Sequence, residues 1–193
     1  MARIILVRPG STDFDEQGRI KGTLDIPLSK AGTSQVSRIV EELHDTKIDY
    51  LYTSPCRSAI QTAEAIAKDH RLRSKSLEDL QNLDHGLWQG KLVDEVRQNQ
   101  PKVYRQLQDN PATVCPPEGE PVGMCIDRVR TALVRLLKKH KTGSVCLVIP
   151  EPCASLVRST LQNCDLGDLW KAECECGSWQ LIEVQAGDLA VAQ

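Results

Sequence analysis

The chain has 193 residues, with 24 basic and 26 acidic side chains and 40% hydrophobic residues. A net charge of -2 excludes the basic excess that a nucleic-acid-binding surface needs to neutralise phosphates, and no apolar run approaches the ~20 residues of a bilayer-spanning helix. Eight cysteines behind an N-terminus that reads Met-Ala-Arg, with no export signal, are expected to be free thiols in a reducing, cytoplasmic compartment.

At this length a fold buries about 70% of its unfolded surface, so a core needs no disulfide or metal staple. Apolar runs alternate with helical periodicities along the whole chain. The predicted class is therefore α/β, as a single-domain three-layer α/β/α arrangement over residues 1–193, with a mainly parallel sheet and helices on both faces. Ile4 to Val7 reads as a central strand. Val36, Ile39, Val40 and Leu43 mark a helix after Ser29. A second strand is predicted at Ile48 to Tyr52. Ser54-Pro55 reads as a helix start, with Ser54 as the cap and Pro55 at a position that needs no amide. Ala59, Ala63, Ile66 and Ala67 line that helix's buried face.

Leu77 to Leu83 reads as strand or extended loop, and Val93 to Leu107 as one polar helix. Four prolines between Asn110 and Pro121 make that stretch a loop. Val122, Cys125, Ile126, Val129, Leu133 and Leu136 form a strong helical stripe. Ser144 to Ile149 is a buried strand, Leu156, Val157 and Leu161 fit a helix, and Ser178 to Val184 fits an edge strand. The segment of about residues 80–120 breaks the alternation and is expected to be a helical excursion over the strand ends, where open α/β folds place ligands. Trp88 is expected to pack beneath it. Trp170 and Trp179 read as packing residues, and His44, His70 and His140 as solvated helix-end histidines.

Phosphate fingerprints of the common kinds are absent. No G-x-G-x-x-G occurs, and Gly86-x-x-x-Gly90-Lys91-Leu92 is one residue short of a P-loop and lacks its hydroxyl. Cys174-x-Cys176, with Cys164 upstream, has no second cysteine pair at zinc-site spacing. Neither a metal nor another cofactor is expected.

Four stretches carry the most specific information. They are Leu6-Val7-Arg8-Pro9-Gly10-Ser11-Thr12, the run from Gly18 to Ser29, Thr53-Ser54-Pro55-Cys56-Arg57-Ser58-Ala59, and Leu80-Gln81-Asn82-Leu83-Asp84-His85-Gly86-Leu87-Trp88. In this order and spacing the chain resembles the histidine phosphatase superfamily, the phosphoglycerate mutase-like proteins, over nearly its whole length. The resemblance implies a histidine nucleophile in an Arg-His-Gly motif, two arginines and a second histidine around the phosphate, and a carboxylic acid that protonates the leaving oxygen.

Carried onto this chain, Arg8 matches the first arginine, but Pro9 stands at the nucleophile, Ser58 at the second arginine, Asn82 at the acid and Pro150 at the second histidine. Asp15 replaces an asparagine. Proline has no lone pair for phosphorus. Loss of a nucleophile costs ~10⁶ in turnover in a well-studied hydrolase, and loss of the acid a further ~10²–10⁴.

The reading that follows is a degenerate active site with a binding or regulatory role. The expected partner is another protein, a second copy, or a small phosphate or other anion held by Arg8, Arg57 and Ser11. Nucleic acid and membrane are not expected partners. Two alternatives stand beside it. One is a phosphomonoesterase with relocated chemistry on His85, since histidine is a common general base and nucleophile, or on Cys153 at a helix start. The other is a structural or oligomer-forming subunit. Arg8 itself has a second reading, as a structural arginine tied to Asp15 or Glu151. A pocket filled by Pro150, Glu151 and their neighbours would speak against any small-anion role.

Overall fold

The computed structural model describes residues 2–172 and 175–184. Five strands, β1 (Ala2–Arg8), β2 (Tyr50–Thr53), β3 (Ser74–Ser76), β4 (Gly143–Val148) and β5 (Ser178–Val184), form one sheet in the order β3-β2-β4-β1-β5. The pairings β2–β3, β2–β4 and β1–β4 are parallel, and β5 runs antiparallel on β1. β1 is thus interior as expected, although β4 holds the centre.

The helices are α1 (Asp13–Glu16), α2 (Lys30–Leu43), α3 (Arg57–His70), α4 (Val93–Asn99), α5 (Pro101–Asp109), α6 (Val122–Lys139), α7 (Cys153–Gln162) and α8 (Leu169–Ala172). The period-2 alternation of β1 divides the core. Ile4 and Leu6 pack with Val129 and Leu133 of α6 and Val157 of α7. Ile5 and Val7 pack with Ile39 of α2 and Ala63 and Ile66 of α3. A sheet buried on both faces requires the near-continuous apolar run that β1 shows. No helix among the described residues is long and apolar enough to cross a membrane.

Two boundaries differ from the sequence reading, and a third resolves an open alternative. Helix α3 starts at Arg57, and Ser54 does not cap it. The Ser54 amide instead donates to the Val148 carbonyl at 2.9 Å, which commits this residue to the sheet. The helix start is served from a distant loop: the Arg57 amide donates to Asp25 Oδ1 at 2.7 Å. The Leu77–Leu83 stretch takes the extended-loop alternative and not the strand, with a 3-10 turn over Glu78–Leu80, and the short polar edge strand β3 precedes it. The Val93–Leu107 helix is two helices, because Pro101 pushes Gln100 out of helical conformation to φ -134°, ψ 57°.

Two of the helix-end histidines are not solvated. His70 keeps 10% of its side chain exposed. His140 is buried, with Nε2 2.8 Å from the Tyr52 hydroxyl and its ring 3.8 Å from that of Tyr50. Burial, with Lys139 and Lys75 adding to it, holds the His140 pKa below the ordinary imidazole value. The unfolded chain therefore takes up this proton first, and stability present above pH ~6.5 is lost as pH falls through the lower folded value. Exposed His44, paired with Asp69, is raised and acts with the opposite sign. A His140→Gln variant should consequently lose less melting temperature than the parent between pH 7.5 and 5.5; equal losses would remove His140 from the acid response.

Candidate functional site

The site lies at the carboxyl ends of β1 and β4, whose parallel register pairs Val7 with Val148. Backbone leaves β1 as Arg8-Pro9-Gly10 and turns tightly against α2. A Cβ on Gly10 would lie 2.3 Å from the Gly32 carbonyl oxygen, and one on Gly32 2.0 Å from the Ser11 oxygen. Two glycines are needed because two backbones touch. The Gly10 amide donates to Thr62 Oγ1 at 3.3 Å and the Ser11 amide to Gln35 Oε1 at 2.8 Å. Thr12 then caps α1 in a reciprocal arrangement with Asp15.

Arg8 is 5% exposed and its Nε donates to Glu151 Oε1 at 2.5 Å, within a side-chain pair that is almost wholly out of solvent. The same Nε lies 3.5 Å from Glu175 Oε2. The second Glu151 oxygen accepts from the Ser155 amide in the first turn of α7, at 3.0 Å. Glu151 thus meets Arg8 on one side and a helix N-terminus on the other, the two positive features that ordinarily receive an anion. Burial pushes the Glu151 carboxyl above the ordinary carboxylate range, and the Arg8 guanidinium works against that push.

Asn82 is 2% exposed and joins three loops: its Nδ2 donates to the carbonyls of Gly22 at 3.0 Å and Glu151 at 2.9 Å, and its Oδ1 accepts from the Cys153 amide at 3.4 Å. An amide can make all of these bonds at once, because it has donors and an acceptor; a carboxylate has no hydrogen for either carbonyl.

A narrow cleft of about 220 Å³, counting its mouth, is lined in part by Thr12, Lys21, Cys56, Ser58, Asn82 and Pro150. The fold therefore brings Ser58, Asn82 and Pro150 together. Pro9 is buried, and its carbonyl accepts from the Gly177 amide at 2.6 Å. Arg57 is exposed, and Ser11 is turned toward Ser29 and Glu16, with hydroxyl contacts at 3.2 and 3.5 Å. His85 is 1% exposed, its ring 6.3 Å from that of Trp88, and it is not among the cleft-lining residues. Cys153 is fully buried; the hydrogen bond with Cys125 and burial push its thiol well above the ordinary range, away from the thiolate a nucleophile needs.

Sequence reasoning missed Lys21, which is 8% exposed on the cleft and bonded to Asp15. It sits inside the Gly18–Ser29 motif, which was the available signal. No group of three or more metal-ligating side chains occurs among the described residues. Cys174 falls outside them, so the Cys174-x-Cys176 pattern has no geometry here.

Residues 4–193 match the histidine phosphatase superfamily (branch 1), and the chain belongs to that family. It is 29% identical over 185 residues to phosphoserine phosphatase 1 of Hydrogenobacter thermophilus, covering 96% of this chain and 88% of that protein. It is 34% identical over 150 residues to phosphoglycerate mutase-like protein 4 of Arabidopsis thaliana, covering 76% of this chain and 65% of the relative. Among solved structures it matches the alpha-ribazole phosphatase of Shigella flexneri with a TM-score of 0.81 at 22% identity, over 95% of this chain and 91% of that one.

Proposed function

We propose that this chain is a histidine phosphatase-fold binding protein that no longer transfers phosphoryl groups. The observation that carries this reading is the Arg8–Glu151 pair. The arginine that the resemblance assigns to phosphate is matched at 2.5 Å by a carboxylate of its own chain. Pro9 on one side offers no nucleophile, and Asn82 on the other is held in hydrogen bonds and has no titratable proton. A free phosphate would have to displace Glu151 and bear the cost of leaving that carboxylate buried. The binding role then belongs to a macromolecular partner or a second copy more than to a small anion.

A second reading is a phosphomonoesterase with relocated chemistry, and the phosphatase names of the relatives favour it. The buried, protonated Cys153 thiol speaks against that residue as its nucleophile, which leaves His85. Hydrolysis of p-nitrophenyl phosphate across pH 4 to 8 separates the two. The expected result is a rate near background, shared by the parent and a Pro9→Ala variant. Robust turnover that disappears in a His85→Ala variant, together with a trapped phosphoprotein, would replace the first reading with the second.

A further inference from the structure

Next to the cleft, two cysteines from different helices meet. Cys125 lies in the first turn of α6 and Cys153 opens α7; both are fully buried, with their Sγ atoms 3.6 Å apart. A disulfide has an S–S length of about 2.05 Å, so a movement of roughly 1.5 Å shared between two helix ends would close the bond. The two sulfurs have unequal surroundings. Arg128 places Nη2 3.2 Å from Cys125 Sγ while forking onto Glu120 at 3.0 and 2.7 Å. A guanidinium is thus in direct contact with the Cys125 sulfur. Cys153 Sγ instead donates to the Gln81 carbonyl at 3.3 Å, and burial with the Cys125 contact keeps its proton on.

We propose that Cys125 and Cys153 form a two-electron redox pair that a small hydroperoxide converts to a disulfide. Cys125 Sγ attacks a peroxide oxygen, giving up its proton, and the O–O bond breaks. Cys125 becomes a sulfenic acid, and the departing hydroxide takes up the proton Cys125 released. Cys153 Sγ then attacks the sulfenyl sulfur. The S–S bond forms, the S–O bond breaks, and the leaving hydroxide takes the Cys153 proton. Two thiols lose two electrons, and hydrogen peroxide becomes two waters.

The bond would join α6 to the residue two places after Glu151, whose own backbone amide is held by Asn82. Oxidation therefore fastens the arrangement in which Glu151 faces Arg8. The pair draws on no catalytic step, so it stands whether or not the chain hydrolyses phosphate.

The test treats the full chain, in a Cys115→Ser/Cys164→Ser background that removes two exposed thiols, with hydrogen peroxide, then alkylates it under denaturing conditions and maps peptides by mass spectrometry. A Cys125–Cys153 cross-link is expected, with two thiols lost per chain and regained with dithiothreitol. Closing a loop of about 28 residues should raise the melting temperature by roughly 7–14 °C. A Cys125→Ala variant should show neither link nor rise; if it fails to fold, Cys153→Ser takes its place, and the peptide map of the parent decides alone if both fail. Met124, 64% exposed beside Cys125, gauges the dose. Both thiols intact once Met124 has become sulfoxide, or sulfinic and sulfonic acids without a link, would overturn the proposal.

Discussion

Replacing Glu151 with alanine should lower the folding free energy by about 3–5 kcal/mol, because it removes the buried partner of the Arg8 guanidinium and leaves only the half-exposed Glu175 carboxylate 3.5 Å away. Arg8 is only 5% exposed, so water cannot substitute for the lost carboxylate without opening the strand end. The Ser155 amide at the head of α7 loses its acceptor in the same step. For a chain of this size the expected fall in melting temperature is roughly 6–20 °C. The double variant Arg8→Met/Glu151→Met should recover most of it, since an apolar pair of similar volume carries no desolvation cost.

The single variant should also become sensitive to small oxyanions. About 100 mM acetate acting on a site of ~1 mM affinity would return about 2.7 kcal/mol by mass action, while the parent chain should ignore it. Thermal melts with and without acetate or phosphate read both effects. A Glu151→Ala protein that melts within about 2 °C of the parent would show that the pair is solvated and that Arg8 is open to ligands after all.

Trp88→Ala should be of similar size, again about 3–5 kcal/mol. Trp88 is 1% exposed and lies in a 3-10 turn, Gly86–Trp88. Its ring sits 5.6 Å from that of Trp170, which in turn stacks on Tyr104 of α5 at 5.0 Å. The indole N–H donates to Gln100 Oε1 at 3.3 Å, at the break between α4 and α5. Removing the ring opens a void under the 80–120 segment and unpairs that acceptor. Loss of near-ultraviolet circular dichroism with the far-ultraviolet signal kept would locate the damage there. Trp88→Phe should recover about half of the loss; an alanine variant as stable as the parent would mean that the segment is held by other contacts.

The apolar strands were legible because burial on both faces writes a continuous Ile-Ile-Leu-Val run into β1 and a comparable run into β4. Helices α2 and α6 were legible from their stripes, and α2 also from its Ser29 cap, which accepts from Gly32 at 2.9 Å. β3 was not, since three polar residues at a sheet edge carry no period. The start of α3 was misplaced because its acceptor, Asp25, is 32 positions away, and the local Ser-Pro signal was overruled by a ladder bond to β4.

At the site, Pro9 could be read as the residue standing where the resemblance expects a nucleophile, and Glu151 was one of the two partners that the sequence offered for Arg8. The work of Asn82 could not be read. It depends on three backbone groups from two distant segments, at Gly22 and at Glu151 to Cys153, which come together only after folding. Lys21 was hidden for the same reason, its partner Asp15 having been weighed as a partner for Arg8 and as the replacement of an asparagine, not as a partner for Lys21.

The positive features around the cleft are already met by the chain's own acids. Glu151 faces Arg8 and the head of α7, Asp15 holds Lys21, Asp25 sits on the first amide of α3, and Glu16 bonds the α2 cap at 2.5 Å. Four acids thus stand against two full positive charges, Arg8 and Lys21, and such a mouth does not draw anions in. An anionic solute would arrive there unguided, and added salt would not slow its encounter.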